Sequence, residues 1–109
     1  MIDLKDFEKV DLRIGTVISA KPFPEARTPA IKLEIDFGEL GVKQSSAQIT
    51  KRYTVEEMTG KQVVGVLNFP VMRIAGFKSE VLVLGGVEEA GDVVLLKPDE
   101  VVANGTKIS

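Results

Sequence analysis

A single all-β domain, built as a five-stranded Greek-key barrel with one short helix, is the fold this sequence predicts. Three observations predict it. Apolar runs rich in β-branched residues recur at close spacing over 11–20, 31–36, 42–49, 62–68 and 81–84, and runs of this kind bounded by Gly and Pro are the signature of strands. One helical stretch of useful length, 51–58, falls between the third and fourth runs. The chain has 109 residues and shows no repeat, linker or low-complexity tract, so residues 1–109 supply one core and one domain.

Taken in order, Asp3 is placed to cap a short helical turn on which Leu4, Phe7 and Val10 share a face. Asp11 to Ala20 alternates as a strand, with a slip at Gly15 that predicts a bulge or sharp bend there. Pro22 and Pro24 end it. Ile31, Leu33 and Ile35 alternate with Lys32, Glu34 and Asp36, the cleanest period of two in the chain. Gly38 to Gly41 is a turn, and Val42 to Ile49 a more polar third strand. Thr50 is placed to cap a helix over Lys51 to Met58, which Thr59-Gly60 closes. Gln62 to Asn68 and Val81 to Leu84 are apolar strands separated by a loop from Phe69 to Lys78. Val93 to Leu96 is a last apolar run, and Asn104-Gly105 is a hairpin-turn dipeptide. Three strands, a helix, then two strands is the order of an OB-type barrel. An SH3-like barrel would lack the helix, and a ferredoxin-like fold would need two full ones. Apolar extensions at both ends (Ile2, Leu4 and Phe7; Val93 to Leu96) either plug the barrel or meet a second copy of the chain.

Composition narrows function. There is no Cys and no His, which removes disulfides, thiolate chemistry, the commonest general base and the commonest transition-metal ligand. Nothing else in the sequence looks catalytic. Thr59-Gly60-Lys61-Gln62 lacks the flanking residues of a P-loop, and Glu56-Glu57 and Glu88-Glu89 are adjacent pairs that diverge. A non-enzymatic protein without cofactor or metal is expected. No stretch reaches the roughly 18 apolar residues of a membrane span and no signal peptide opens the chain, so a cytoplasmic protein without stable membrane insertion is expected. The 14 basic and 16 acidic residues leave a formal net charge of −2. Binding of nucleic acid would need the cations gathered on one face.

OB barrels bind through the face of strands two and three and through the loops after strands one and four. Here those loops are Lys21 to Pro29 and Phe69 to Lys78, and each holds cations beside an aromatic, a combination that tracks phosphates and stacks on bases. Arg73, set among Val71, Met72, Ile74 and Ala75, either meets a phosphate or base or is tied to a carboxylate such as Glu80. Phe69 and Phe77 are either core residues or stacking platforms. Gln44-Ser45-Ser46-Ala47-Gln48 is either a flat polar binding face or a solvated edge strand. The cations of Lys51-Arg52-Tyr53 are read as a solvated face.

Several segments carry a resemblance. Asp11-Leu12-Arg13-Ile14-Gly15-Thr16-Val17 resembles the opening strand of the tRNA-binding OB domains, which include the C-terminal domain of bacterial methionyl-tRNA synthetases and free-standing dimers. Lys32 to Gly38, Lys43 to Ile49 and the long block Asn68 to Gly85 are similar to the CsaA-type chaperones of that family. The resemblance implies a homodimer of OB barrels and two ligand classes. One is unfolded or precursor polypeptides, bound in a chaperone role that assists export together with the secretion motor ATPase. The other is tRNA, recognised by shape and backbone. Carried over by motif, the contact residues are Lys32, Ser45, Ser46, Gln48, Asn68, Arg73, Ser79 and Leu82, to which Phe77 is added from the loop itself. Two departures stand out: Val81-Leu82 replaces a frequent Gly-Met, and Glu25 to Ala30 replaces a loop that usually carries Asp-Lys. Both make the site more apolar and less cationic.

Overall fold

In the computed structural model, which describes residues 1–109, the elements in chain order are α1 (Leu4–Glu8), β1 (Leu12–Pro22), β2 (Ile31–Asp36), β3 (Val42–Ala47), α2 (Val55–Met58), β4 (Gln62–Val66), β5 (Met72–Ile74), β6 (Phe77–Ser79), β7 (Leu82–Val83), β8 (Gly85–Val87) and β9 (Val93–Leu95). Five of them form the antiparallel sheet β3-β2-β1-β4-β7, which curls into a nearly closed OB-type barrel. The central strand β1 pairs with β2 on one side and β4 on the other. Closure comes between β3 and the chain entering β7. There the Glu80 N–H donates to the Gln44 carbonyl at 2.8 Å, and the Gln44 N–H donates to the Glu80 carboxylate at 2.8 Å.

The interior is filled by Val17, Leu33, Ile35, Phe37, Val63 and Val81, the inward members of the alternating strands, with Met58 of α2 plugging one end. The alternation of β2 holds as the sequence predicts. The bulge does not fall at Gly15. Gly15 pairs regularly with Val63, and the register shift lies between Val17 and Ser19. The slip in pattern at Gly15 has another cause. Leu12 and Ile14 face a second apolar cluster with Val64 and Val66, so this half of β1 is covered on both faces. The cover is the C-terminal tail, whose Ile108 N–H donates to the Leu12 carbonyl at 2.9 Å, with Arg13 and Lys107 bridged beside it. Asn104-Gly105 is accordingly a turn and not a strand hairpin. The Thr106 N–H closes it on the Ala103 carbonyl, and it sends the tail back along β1.

Two further expectations shift. The helix begins at Val55, not Lys51, and Thr54 is its cap instead of Thr50. The deciding residue is Glu57, three positions on, whose carboxylate accepts the Thr54 N–H at 2.9 Å, while Arg52 and Tyr53 close a turn on the Ile49 carbonyl. The expected loop from Phe69 to Lys78 contains a hairpin, β5–β6, joined by Ala75-Gly76 with φ of 46° and 81°. A two-residue turn with both φ positive matches the twist of the strands. At the N-terminus Asp3 caps α1 as predicted, and none of that helix is buried.

These packings set two stability predictions. A Cβ at Gly15 would lie 2.7 Å from Ile35 Cγ2 and 2.8 Å from the Phe37 ring, whereas one at Gly86 meets nothing within 4 Å. Denaturant titration of Gly15→Ala is expected to show a loss of roughly 1–3 kcal/mol, with Gly86→Ala within about 0.5 kcal/mol of wild type. Replacing Ala75 by Asn, which tolerates the left-handed region, is expected to raise stability by roughly 1 kcal/mol in the same assay.

Candidate binding interface

The loop after β1 and the β5–β6 hairpin converge on one side of the barrel. Phe23, buried at the start of the loop, meets Phe77 of β6 edge to face, with ring centroids 5.4 Å apart and planes at 65°. The Lys32 ammonium sits over both rings, 4.7 Å from the Phe23 centroid and 5.4 Å from that of Phe77. Phe77 is thus a packing residue that also holds a cation, and Lys32 is half-buried.

The hairpin has two unlike faces, because side chains alternate along its strands. Ile74 and Phe77 are register partners, and so are Met72 and Ser79; between them Arg73 pairs with Lys78. Ile74, Phe77 and Ser79 are half-buried toward the barrel, while Arg73 and Lys78 are exposed. Arg73 makes no ion pair with Glu80, whose carboxylate is occupied by the Gln44 N–H. The tie between Arg73 and Glu80 is therefore not made, and Arg73 stands on the outer face beside a second cation.

The inner face borders a groove of about 720 Å³ between the end of β3, the segment Phe69–Met72 and residues 79–83, with ten of its fifteen lining residues apolar. Large apolar side chains lie open along it: Phe69 is 52% exposed, Met72 66% and Leu82 51%. Gln48, Ser46 and Ser79 supply its polar rim, and the Ser46 N–H donates to Ser79 Oγ at 3.0 Å. Lys32, Arg73 and Phe77 lie outside the groove lining.

Two of the sequence-derived contact residues have structural duties. Ser45 is 1% exposed, and its hydroxyl donates to the Val81 carbonyl at 2.7 Å. It faces inward, fastening the barrel seam, and is not available to a ligand. Asn68 is exposed but spans two backbone groups: its Oδ1 accepts the Asp11 N–H at 2.9 Å and its Nδ2 donates to the Lys9 carbonyl at 2.7 Å. Sequence reading passed over Lys78 and Val71 as individual residues. The signal for Lys78 was the Ala75-Gly76 pair, which as a two-residue turn dictates that 73 and 78 stand opposite.

A second depression, of about 480 Å³, lies between Tyr53, Lys61 and the segment 94–101 and includes none of the predicted contact residues. Near it, Lys51 and Arg52 are not a merely solvated face. Lys51 Nζ donates to the Ala90 carbonyl at 2.8 Å, and Arg52 donates to Asp92 from Nε at 2.9 Å and Nη2 at 2.6 Å. Those hydrogen bonds, outweighing desolvation, hold the Asp92 carboxyl below its ordinary value.

The family model described as "Putative tRNA binding domain" matches residues 12–107. The chain belongs to the tRNA-binding domain family. Within that family it is similar in structure to the chaperone CsaA of Bacillus anthracis, at 69% identity and a TM-score of 0.95 over 100% of this chain and 99% of that one. It is similar also to the CsaA chaperone protein of Picrophilus torridus, at 47% identity and a TM-score of 0.93 with complete coverage of both chains. Methionine–tRNA ligase of Methanococcoides burtonii is 34% identical over 108 residues, which cover 99% of this chain and 16% of the ligase. The tRNA-binding domain thus spans a small part of the curated ligases it matches. No helix in it is long and apolar enough to cross a membrane.

The Arg52–Asp92 pair sets a pH prediction. Because the folded carboxyl titrates below its unfolded value, its stabilising effect is fully present above the ordinary carboxylate value and is lost as pH falls below that value through the lower folded one. Thermal melts of Asp92→Asn are expected to lie below wild type at neutral pH, and the gap is expected to close below about pH 4.

Proposed function

We propose that this chain is a non-catalytic chaperone of the CsaA type, which binds unfolded or precursor polypeptide segments in the apolar groove beside the β5–β6 hairpin. One observation carries the reading. Phe69, Val71, Met72 and Leu82 stay substantially exposed around a concave, mostly apolar surface. A monomeric barrel gains nothing by leaving such side chains in water, whereas a mobile Met beside rigid aromatic and Pro residues suits varied apolar segments. The high identity to CsaA chaperones over the whole chain supports it.

The chaperone acts as a homodimer in the cytoplasm and assists export, passing clients to the secretion motor ATPase. Exposed Ile2, Leu4, Val87, Leu96 and Val101 support self-association, since they form no part of the barrel core.

A second reading, tRNA binding, is favoured by a specific observation: Arg73 and Lys78 stand opposite one another on the outer face of the hairpin with no carboxylate partner. Like charges directly opposed weaken a sheet, and a polyanion relieves the repulsion.

The test titrates a fluorescent unfolded precursor peptide and labelled bulk tRNA against the purified chain at low and moderate salt. Chaperoning predicts peptide binding that changes little with salt and falls by about tenfold or more in Leu82→Asp, which removes apolar contact and buries charge. Steeply salt-dependent tRNA binding without peptide binding would sink the chaperone reading and leave the tRNA reading standing. Sedimentation at micromolar concentration is expected to find a dimer.

A further inference from the structure

Two lysines face each other across the first pair of strands. Lys21 of β1 and Lys32 of β2 are register partners, and Ser46 of β3 is the partner of Lys32 on its other side. The row Lys21–Lys32–Ser46 therefore crosses three strands on one face of the sheet. Neither lysine is neutralised. The chain's ion pairs engage Lys9, Arg13 and Arg52, and the lysine ammonium that donates to a protein acceptor belongs to Lys51. One row along the same face stand Ser19, Glu34 and Gln44, so a carboxylate bounds the cationic row on that side.

Like charges directly opposed on antiparallel strands cost stability. Here the cost is met by a local device. The Lys32 ammonium lies over the Phe23 and Phe77 rings at 4.7 and 5.4 Å, inside the range of about 6 Å over which a ring face attracts a cation. The rings brace each other edge to face, and Phe23 is 4% exposed, so the seat is rigid. A ring face attracts the ammonium without a lone pair to accept its protons. The N–H donors of Lys32 stay available, and the rotamer freedom a lysine normally surrenders on binding is already given up.

Two lysines that are register partners on adjacent strands, one with its ammonium pre-ordered, can each donate to one of the two free oxygens of a phosphodiester. Arg73 and Lys78 add two more unpaired cations on the same hairpin as Phe77, on its opposite face. We propose that Lys21 and Lys32 form a phosphodiester contact for tRNA, and that Phe23 and Phe77 are positioning residues that hold Lys32 ready for it. The proposal rests on the tRNA reading given above and adds residues to it. Phe23 joins the binding surface to the barrel interior, and Lys21 acquires a role that its exposed position alone does not suggest.

The experiment measures affinity of the full chain for labelled bulk tRNA over a series of salt concentrations. Lys21→Gln and Lys32→Gln are each expected to weaken binding about five- to tenfold at low salt and to flatten the salt slope, the double variant by about one phosphate. Phe77→Leu keeps apolar volume but loses the ring, and is expected to weaken binding about threefold. Phe77→Tyr should restore it, and Phe77→Leu should have no further effect once Lys32 is Gln. If both lysine variants keep the wild-type slope while Arg73→Ala flattens it, the phosphate contact is overturned. If Phe77→Leu weakens binding equally with Lys32 already replaced, the positioning role falls. Absence of tRNA binding by the wild-type chain would remove the tRNA reading and this contact together.

Discussion

The Phe37 ring, fully buried, lies against the backbone of two glycines on paired strands, Gly15 of β1 and Gly65 of β4. A Cβ at either position would collide with it or with its neighbours, at 2.8 Å from the ring for Gly15 and 2.5 Å from Val81 for Gly65. A barrel of five short strands has little interior, and an aromatic fits only where the wall is stripped to backbone. Much else follows from that fit. Phe37 also follows β2 directly and opens the turn that leads into β3, and the turn at Gly105 closes over its carbonyl. The ring thus sets how closely β1 and β4 approach inside the barrel, and the same residue's carbonyl lies under the turn of the tail.

The binding surface depends on how the barrel is closed. A closed barrel needs its last strand to pair with β3, but here much of that seam is stitched by side chains. The side chains of Glu80, Ser79 and Ser45 bond across the seam to backbone groups of the facing segment, in place of a continuous ladder. Stitching by side chains lets the hairpin β5–β6 stand off from the sheet while staying anchored. The space under it is the groove, and the Phe23–Lys32–Phe77 cluster is the tie on its other flank.

Much of the fold was legible in the sequence because period-two patterns are written by one-sided burial, and β2 shows that plainly. Where burial was two-sided the pattern misled. Leu12 and Ile14 are covered by the tail, so a regular stretch of β1 reads like a bulge at Gly15. The helix start was ambiguous between two threonines, and only the reach of Glu57 back to Thr54 decides it. The hairpin went unread because Ala75 adopts a left-handed conformation that sequence statistics assign to Asn or Gly. The candidate site was legible as a region but not residue by residue. Motif similarity pointed to Ser45, yet strand parity turns it inward; Arg73 was read among apolar neighbours, yet the same parity turns it away from them.

The fastening of the tail to β1 bears on the order in which the barrel can be completed. Gly105 donates to the Ile14 carbonyl, Ile14 to the Thr106 carbonyl and Arg13 to the Gly105 carbonyl, links that join residues up to 92 positions apart. Contacts of such separation are slow to form, since the loop between them must close first. Until residues 102–108 fold back along it, this face of β1 is bare. Leu12, Ile14, Val64 and Val66, buried once the tail is seated, lack that cover without it. Docking of the tail is therefore the step that seals the second apolar cluster, after the pairing of β1 with β4 has formed it.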